Sequence, residues 1–196
     1  MKTCLDLYAG LGGFSEAFVN DPSWNVIRID NNPILQDVPH MRIADVKELD
    51  PREFEDIDLI LASPPCTAFS CGYSSPRAKA HRAGIDQHKY DPDLSLIQTA
   101  VRFDRIIKPK FFLIENVVGS IRYFRRLGMY PICMTKPFVF YGRFPQFSMP
   151  NGWTHKKPDT SSTNPLRRNI KAKLPLDLSL KILETYEGTT TLQRWI

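Results

Sequence analysis

Apolar runs of four to seven residues alternate with polar and helix-like stretches through the first 120 positions of this 196-residue chain. Branched apolar side chains are frequent in these runs, as is typical of strands buried in a parallel sheet. Four runs predict strong strands and a fifth predicts a shorter one: Thr3–Tyr8, Trp24–Asp30, Ile57–Ala62, Phe111–Ile114 and, shorter, Met41–Ala44.

Helical patterns stand between the predicted strands. Phe14–Val19 has helical content, and Asp93–Ile107 carries apolar side chains on one face. Asp50-Pro51 has the form of a helix N-cap followed by proline at the first position. Strands that alternate with helices predict an α/β fold with a doubly wound, mostly parallel sheet.

The pattern loosens after residue 120, where six prolines interrupt the chain between positions 131 and 165. A strand-like run remains at Phe138–Tyr141, and an amphipathic final helix is predicted at Leu176–Tyr186. We therefore expect three parts. They are a core at 1–120, a small basic appendage at 121–175 and a C-terminal helix within 176–196 that packs back on the core.

The formal net charge of +5 hides an uneven distribution. From Arg122 to Lys173 the chain has eleven Lys and Arg residues and a single acid, Asp159, which is a net charge of +10. The remaining residues carry 15 basic and 20 acidic groups, a net charge of −5. Such concentration is unusual for a merely solvated face. It favours contact with the phosphates of a polyanion. Contacts to phosphates position a protein but do not read the base sequence.

Composition excludes several classes of protein. Hydrophobic residues at 42% and charged residues at 24% are typical of a globular domain, and no apolar run reaches the length of a membrane span. The N-terminus has no secretory apolar region, and the four cysteines lack any paired spacing, so we expect a reducing, cytoplasmic location. The four histidines are scattered, and we expect no metal site.

Candidate chemistry follows the first two strands, where a doubly wound sheet binds its ligands. The turn Gly10–Gly13 would let a ligand approach the backbone, and Asp30 at the end of the second strand is suited to ribose hydroxyls. The spacing differs from the dinucleotide pattern. Together these features favour a nucleoside cofactor with a carboxylate end, such as S-adenosylmethionine, although the turn alone is equally consistent with an ordinary strand-to-helix connection.

Cys66 follows two prolines at the end of the third strong strand and precedes a long loop at 67–93. Loops of that length are usually functional or disordered. The basic residues of the loop are Arg77, Lys79 and Arg82. A thiol on a stiff turn near positive charge can ionise and act as a nucleophile, whereas the alternative is a buried and inert cysteine.

Glu115-Asn116 ends the apolar strand Phe111–Ile114. A partly desolvated carboxyl at that point would have a raised pKa and could donate a proton. The alternative is an acid that caps a helix or forms an ion pair.

Three segments, in this order, resemble the hallmarks of the DNA (cytosine-5) methyltransferases. Asp6–Phe14 (DLYAGLGGF) resembles the first motif, Pro64–Ser70 (PPCTAFS) the catalytic motif and Glu115–Val117 (ENV) the third hallmark. The resemblance covers residues 1–120. It implies the Rossmann-like fold of S-adenosylmethionine-dependent methyltransferases, with cofactor binding and catalysis in the core and nucleic-acid contact in 121–175.

The resemblance implies that Cys66 adds to C6 of cytosine while Glu115 binds and protonates N3, which makes C5 nucleophilic towards the cofactor's methyl group. The target base must then be flipped out of a duplex or already single-stranded. Asn116 and Pro65 would shape the cytosine pocket. Tyr8 would pack on the adenine, Asp30 would hold the ribose and Asp45 would accept from the adenine amino group. The implied cofactor-binding residues are Asp6, Tyr8, Ala9, Gly10, Gly12, Gly13, Asp30, Asn31, Asp45, Val46 and Pro64.

The chain departs from the family after Val117. The Arg-x-Arg motif is absent, and Arg143 is the best single substitute as a catalytic arginine; the segment before Pro175 lacks the family's asparagine. About 57 residues separate Val117 from Pro175, too few for the usual recognition domain. We expect short or relaxed sequence preference, complemented by a second subunit, as in a homodimer, or by a single-stranded substrate. The expected substrate-contacting residues are Pro65, Ser70, Arg77, Lys79, Arg82, Lys156, Lys157, Arg167 and Arg168.

Other functions remain open at this point. The same chemistry could act on tRNA or on a free nucleotide, although the basic segment argues against a mononucleotide. A different one-carbon group could be transferred to C5. A catalytically inactive nucleic-acid-binding homologue conflicts with the intact Cys66 and Glu115, and a cofactor sensor is the weakest alternative. A chain this short would suit a genome under size pressure, such as that of a virus.

Overall fold

The computed structural model describes residues 1–70, 76–86, 91–156 and 158–192. Its strands are β1 (Lys2–Leu7), β2 (Trp24–Asp30), β3 (Met41–Ile43), β4 (Leu59–Ala62), β5 (Phe111–Val117), β6 (Pro131–Thr135) and β7 (Phe138–Arg143). Its helices in the described ranges are α1 (Glu16–Val19), α2 (Pro76–Arg82), α3 (Ser95–Ile107), α4 (Ile121–Phe124), α5 (Arg167–Ala172) and α6 (Leu176–Leu192).

The strands form one sheet in the order β3-β2-β1-β4-β5-β7-β6. The first five are parallel, and β7 runs antiparallel between β5 and β6. The expected α/β fold with a mostly parallel sheet is therefore confirmed. Strand order reverses between β1 and β4, which is where ligands bind in such sheets. Because β6 and β7 belong to this sheet, the segment 121–175 also contributes to it, while the division into three parts stays a prediction.

Element boundaries differ from the expectations mainly late in the chain. β5 continues to Val117 because it pairs with β7 as far as Phe138. The sequence pattern does not predict β6, a half-buried edge strand that begins at a proline. α6 extends beyond the expected end at Tyr186 to Leu192. Asp50 does cap a turn, but this is a single 3₁₀ turn.

Two apolar layers cover the two faces of the sheet, as double winding requires. On one face, α3 buries Ile97, Ala100 and Phe103 against β4 and β5. On the other face, α1 and α6 pack together, and Tyr186 of α6 meets the ring of Trp24 edge-on at 4.8 Å between centroids. In the described ranges no helix is both long and apolar enough to cross a membrane.

The turn after β1 is packed tightly by the chain itself. Arg28 is 4% exposed and donates to the Ser15 hydroxyl at 2.8 Å and to the Gly12 carbonyl at 2.8 Å. A Cβ on Gly12 would lie 2.3 Å from the Arg28 guanidinium carbon, and one on Gly13 would lie 2.5 Å from the Leu174 carbonyl oxygen. These two glycines are therefore required by internal packing, with the backbone before α6 pressed against the turn.

Gly13→Ala should destabilise the protein by about 1–3 kcal/mol, because the new methyl group would meet backbone atoms that cannot rotate away. Gly188→Ala is the matched control. Gly188 is exposed in α6 with open space around it, so alanine there should stabilise the protein by about 0.5–1 kcal/mol. Urea denaturation of both variants measures the difference, and equal stabilities would contradict the close packing at Gly13.

Candidate active site

The exits of β4 and β5 lie side by side at the carboxyl edge of the sheet. The two strands pair in parallel register, with Ala62 opposite Ile114. Two residues farther along each strand, the Asn116 amide nitrogen donates to the Pro64 carbonyl at 3.0 Å, and its amide oxygen accepts from the Val117 amide at 2.9 Å. Asn116 is completely buried. The expected pocket residue therefore also serves to fix the Pro-Pro-Cys turn against β5.

Cys66 begins a short turn that is anchored to the core. Its carbonyl accepts from the amides of Phe69 and Ser70, both at 3.0 Å, and its side chain is half-buried. The Phe69 ring is buried and packs edge-on against Tyr123 and Phe124, each at 5.7 Å between centroids. Cys66, the expected nucleophile, therefore lies between two prolines and the buried ring of Phe69. The second of these prolines, Pro65, is exposed.

Glu115 is a carboxyl group that burial keeps protonated. It is 7% exposed, and burial raises its pKa from 4.5 to about 8, although the neighbouring Ser63 hydroxyl acts in the opposite direction and lowers it. The group therefore holds its proton at neutral pH. This is the protonation state that a general acid needs.

Tyr8 and Asp45, both expected to face the adenine, are brought together. Tyr8 has a positive φ of 60°, a conformation that non-glycine residues adopt mainly under structural constraint. Its hydroxyl donates to the Leu96 carbonyl at 3.0 Å. Burial, followed by the nearby Asp45 charge, raises the pKa of that hydroxyl. Asp45 itself accepts from the Lys47 amide at 2.9 Å.

Asp30 ties the glycine turn to β2. One carboxylate oxygen accepts from the Gly10 amide at 2.9 Å, and the other accepts from the Asn32 amide at 3.0 Å. Each oxygen retains a lone pair, so ribose hydroxyls can still donate to it. Asn31, next to it, is exposed.

The residues fit an S-adenosylmethionine site, but through fewer side chains than expected. A Cβ added at Gly10 would meet only the Asn169 amide nitrogen, at 4.0 Å, so this part of the turn is open to a ligand. Asp30 accepts from the Gly10 amide, and Tyr8 with the nearby Asp45 adds an aromatic ring and a second acceptor. Such a set matches an adenine, a ribose and an amino group.

Other expected cofactor residues are buried in the protein. Asp6 is completely buried and accepts from the Ser15 hydroxyl at 2.6 Å, and burial raises its pKa to about 6 although Ser15 and Arg28 oppose the rise. The side chain of Val46 belongs to the core, and those of Ala9 and Pro64 are buried as well. For these residues, as for Gly12 and Gly13, only the backbone can reach a cofactor.

Arg143 does not join this site, which corrects the expectation that it replaces the missing arginine pair. β7 is antiparallel to β5, so Arg143 lies opposite Phe112 near the start of β5, at the other edge of the sheet from Glu115. There it donates to Asp104 at 3.0 Å and to the Pro109 carbonyl at 2.7 Å. The antiparallel direction of β7, which the sequence pattern leaves open, is the reason.

Three arginines gather around the buried Tyr123; we call them the Tyr123 arginine cluster (Arg77, Arg122 and Arg126). Their guanidinium carbons lie 5.9, 4.6 and 5.5 Å from its ring centroid. The Tyr123 hydroxyl accepts from Arg77 and Arg122, and Asp91 supplies one negative charge. Arg122 and Arg126 follow β5 and Arg77 lies on α2, and because Tyr123 packs on Phe69, their positive charge lies near the Cys66 turn.

The other expected substrate-contacting residues lie on separate segments of the chain. Lys79 and Arg82 are exposed on α2. Lys156 is exposed and follows His155, whose ring packs at 5.0 Å from that of Phe138 at the start of β7. The remaining ones are Ser70 in the turn after Cys66, Arg167 and Arg168 on α5 near the glycine turn, and Lys157, which lies outside the described residues.

The sequence reasoning missed four features of the site. They are the Ser63 hydroxyl beside Glu115, the Tyr141–Ser120 hydroxyl pair at 2.8 Å, the buried Arg28, and the Arg122–Arg126 part of the cluster. The sequence did contain a signal for Ser63, because a polar residue there directly follows an apolar strand. Among the described residues no group of three or more His, Cys, Asp or Glu side chains is placed to hold a metal.

Comparison with known proteins agrees with this geometry. A family model described as C-5 cytosine-specific DNA methylase matches residues 2–123. The chain belongs to the C-5 cytosine-specific DNA methylase family. The resemblance of the three motifs is thereby confirmed.

Individual proteins are similar to part of this chain. The type II methyltransferase M.DdeI of Desulfomicrobium norvegicum is 32% identical over 132 residues, which cover 60% of this chain and 28% of that protein. The probable DNA (cytosine-5)-methyltransferase of Frog virus 3 is 28% identical, with 57% and 52% covered. The Entamoeba histolytica methyltransferase EhMeth is structurally similar, with a TM-score of 0.48 and 15% identity over 73% of this chain and 53% of that one. The chain spans about half of the relatives' length or less.

Glu115→Gln should change how stability depends on pH. The folded protein keeps a proton on Glu115 up to about pH 8, whereas an ordinary glutamate releases it near 4.5, so the free energy of unfolding should fall as pH rises between these values. Glutamine cannot ionise. The variant should therefore gain stability over the native protein as pH rises to 8, by an amount on the order of a few kcal/mol.

Denaturant titrations at several pH values measure this gain. Glu55→Gln, at an exposed glutamate, is the matched control and should show no such gain. Parallel pH profiles for the native protein and Glu115→Gln would contradict the raised pKa.

Proposed function

We propose that this protein transfers a methyl group from S-adenosylmethionine to C5 of cytosine in DNA through a covalent bond between Cys66 and C6 of the base. The observation that carries the proposal is the buried Glu115 near the end of β5, whose pKa burial raises to about 8, next to Asn116, which holds the Pro-Pro-Cys turn. Family membership and relatives named as cytosine-5 methyltransferases support the same substrate.

The chemistry needs a nucleophile and an acid acting on opposite sides of one ring. The Cys66 thiolate forms the S–C6 bond, and the displaced electron pair shifts through C5 and C4 to N3, which takes the proton of Glu115. The product is an enamine that is nucleophilic at C5. S-adenosylmethionine, when bound, supplies an electrophilic methyl group for that carbon.

Reversal of the addition completes the reaction. C5 loses its proton to a base, the C5–C6 double bond re-forms, and the C6–S bond breaks with sulfur leaving as thiolate. N3 returns its proton to the Glu115 carboxylate. The chain's own part in this sequence is to hold the thiol and the acid at fixed positions and to keep Glu115 in an apolar site where its proton is retained.

We propose that Tyr8, Asp30, Asp45 and the open face of Gly10 hold the cofactor. A cytosine within a duplex hides C6 from a thiol, so the target is flipped out or single-stranded. The DNA sequence that the protein recognises around the target cytosine is short or loosely defined, because a basic segment of this size contacts DNA mainly through phosphates.

The test incubates the protein with labelled S-adenosylmethionine and duplex DNA, single-stranded DNA, tRNA or dCMP. Label should appear in DNA as 5-methylcytosine and should be lost in Cys66→Ser. Label in tRNA or dCMP instead would replace DNA as the substrate, and label in none of them would overturn the enzyme assignment.

DNA that contains 5-fluorocytosine tests the covalent step. Fluorine at C5 cannot leave as a proton does, so the Cys66–C6 bond should persist and the protein should migrate with the DNA in a denaturing gel. Glu115→Gln should slow adduct formation strongly, by roughly 100-fold or more. An adduct that still forms in Cys66→Ala would remove Cys66 as the nucleophile.

We also propose that the Tyr123 arginine cluster binds backbone phosphates next to the target base. Three guanidinium groups around one ring repel each other, and a phosphate would relieve the excess positive charge. Arg122→Ala/Arg126→Ala should weaken DNA binding and reduce the slope of log Kd against log salt by about one to two units.

Arg52→Ala/Arg105→Ala removes the same charge from exposed sites outside the cluster. This control should leave the slope nearly unchanged. If both double variants lower the slope equally, general charge rather than the cluster accounts for the binding.

A further inference from the structure

Ser63 carries a buried hydroxyl that the reaction described above does not use. It is the last residue before the Pro-Pro-Cys turn, and its amide donates to the Leu7 carbonyl of β1 at 3.1 Å. Its hydroxyl oxygen is shielded from solvent and makes no hydrogen bond within the described part of the chain. A buried hydroxyl without a partner costs about 1–3 kcal/mol, so its presence directly after the apolar strand β4 needs an explanation.

The strand register places Ser63 beside Glu115. Ala62 is paired with Ile114, and the next residues along the two parallel strands are Ser63 and Glu115. Side chains of paired residues on neighbouring strands point to the same face of a sheet. The Ser63 hydroxyl also lowers the pKa of Glu115 against the larger effect of burial, which requires that the two groups be close.

Among the described residues, no charged group shifts the pKa of Glu115: burial raises that pKa, and the Ser63 hydroxyl lowers it. On the other side, β7 places Phe140 opposite Glu115, and the Tyr141 hydroxyl is paired with Ser120 at 2.8 Å. Arg125 acts on Tyr141 and is not among the groups that shift Glu115. A carboxylate formed at Glu115 would therefore depend on Ser63 for stabilisation.

We propose that Ser63 is a positioning residue for Glu115. The Ser63 hydroxyl donates a hydrogen bond to the Glu115 carboxyl oxygen that does not carry the acid proton. This bond would leave the proton on the oxygen that faces the base. When Glu115 passes its proton to N3, the bond becomes charge-assisted and stabilises the carboxylate that forms. Its contribution is thus larger after proton transfer than before, which is the condition for lowering a barrier. The catalytic part of this inference rests on the proposed function.

The first experiment needs no reaction. Carbon-13 labelling of glutamate carboxyl groups in the full chain, with the Glu115 signal assigned by its loss in Glu115→Gln, reports the Glu115 pKa by NMR. Ser63→Ala should raise that pKa by about one unit, because the carboxylate loses its donor. Ser63→Thr keeps a hydroxyl and should restore the native value. An unchanged pKa in Ser63→Ala would overturn the inference, whether or not the protein methylates DNA.

The second experiment measures methyl transfer to DNA. Ser63→Ala should lower kcat about tenfold with little change in KM, and the alkaline limb of the kcat–pH profile should move upward with the NMR pKa. Ser63→Thr should recover most of the rate. A loss of kcat with an unmoved alkaline limb would mean a merely structural role and would overturn the positioning assignment. Absence of activity in the native protein would refute the proposed function, while the NMR result decides the Ser63–Glu115 contact independently.

Discussion

The parallel pairing of β4 with β5 is the constraint on which the candidate site depends. The two strands end together, and the Asn116 amide spans their exits by donating to the Pro64 carbonyl. The Cys66 turn and Glu115 are far apart in sequence, and this pairing turns them into neighbours. Because Asn116 is completely buried, its hydrogen bond has no competing solvent and keeps the turn in one position. Ser63 and Phe69 add anchors on either side of the same turn.

Two buried carboxyl groups, Asp6 and Glu115, differ in their surroundings, and this difference gives them different roles. Asp6 has the Ser15 hydroxyl and Arg28 as partners, and its pKa reaches only about 6. Within the described ranges Glu115 has only the Ser63 hydroxyl to lower its pKa, which reaches about 8. Asp6 thus acts in a network that holds the glycine turn, whereas Glu115 keeps a transferable proton. Pairs of acids with different environments often mark such a division of roles.

Positive charge is concentrated near the end of β5. Arg122 and Arg126 stand over Tyr123 just after β5, and Lys156 follows a ring that packs on the start of β7. Both groups lie near the end of β5, because Phe138 is paired with Val117 and the two arginines follow that strand. Arg143 belongs to the same basic segment but forms an ion pair with Asp104 near the start of β5. Net charge over a segment therefore predicted the kind of partner without identifying which residues could meet it.

The sequence by itself determined the fold class, the five parallel strands, and the three motifs that carry the family, because apolar runs and short motifs are local signals. It could also indicate Cys66 and Glu115 as a pair, since parallel strands end at one edge. Only the tertiary structure decided that Gly12 and Gly13 serve internal packing and that Ser63 lies beside Glu115. It also decided that Arg143 lies near the start of β5, away from the edge where Glu115 lies. Those outcomes depend on strand direction, register and contacts between distant segments. A linear pattern does not encode them individually, because each results from the packing of the whole sheet.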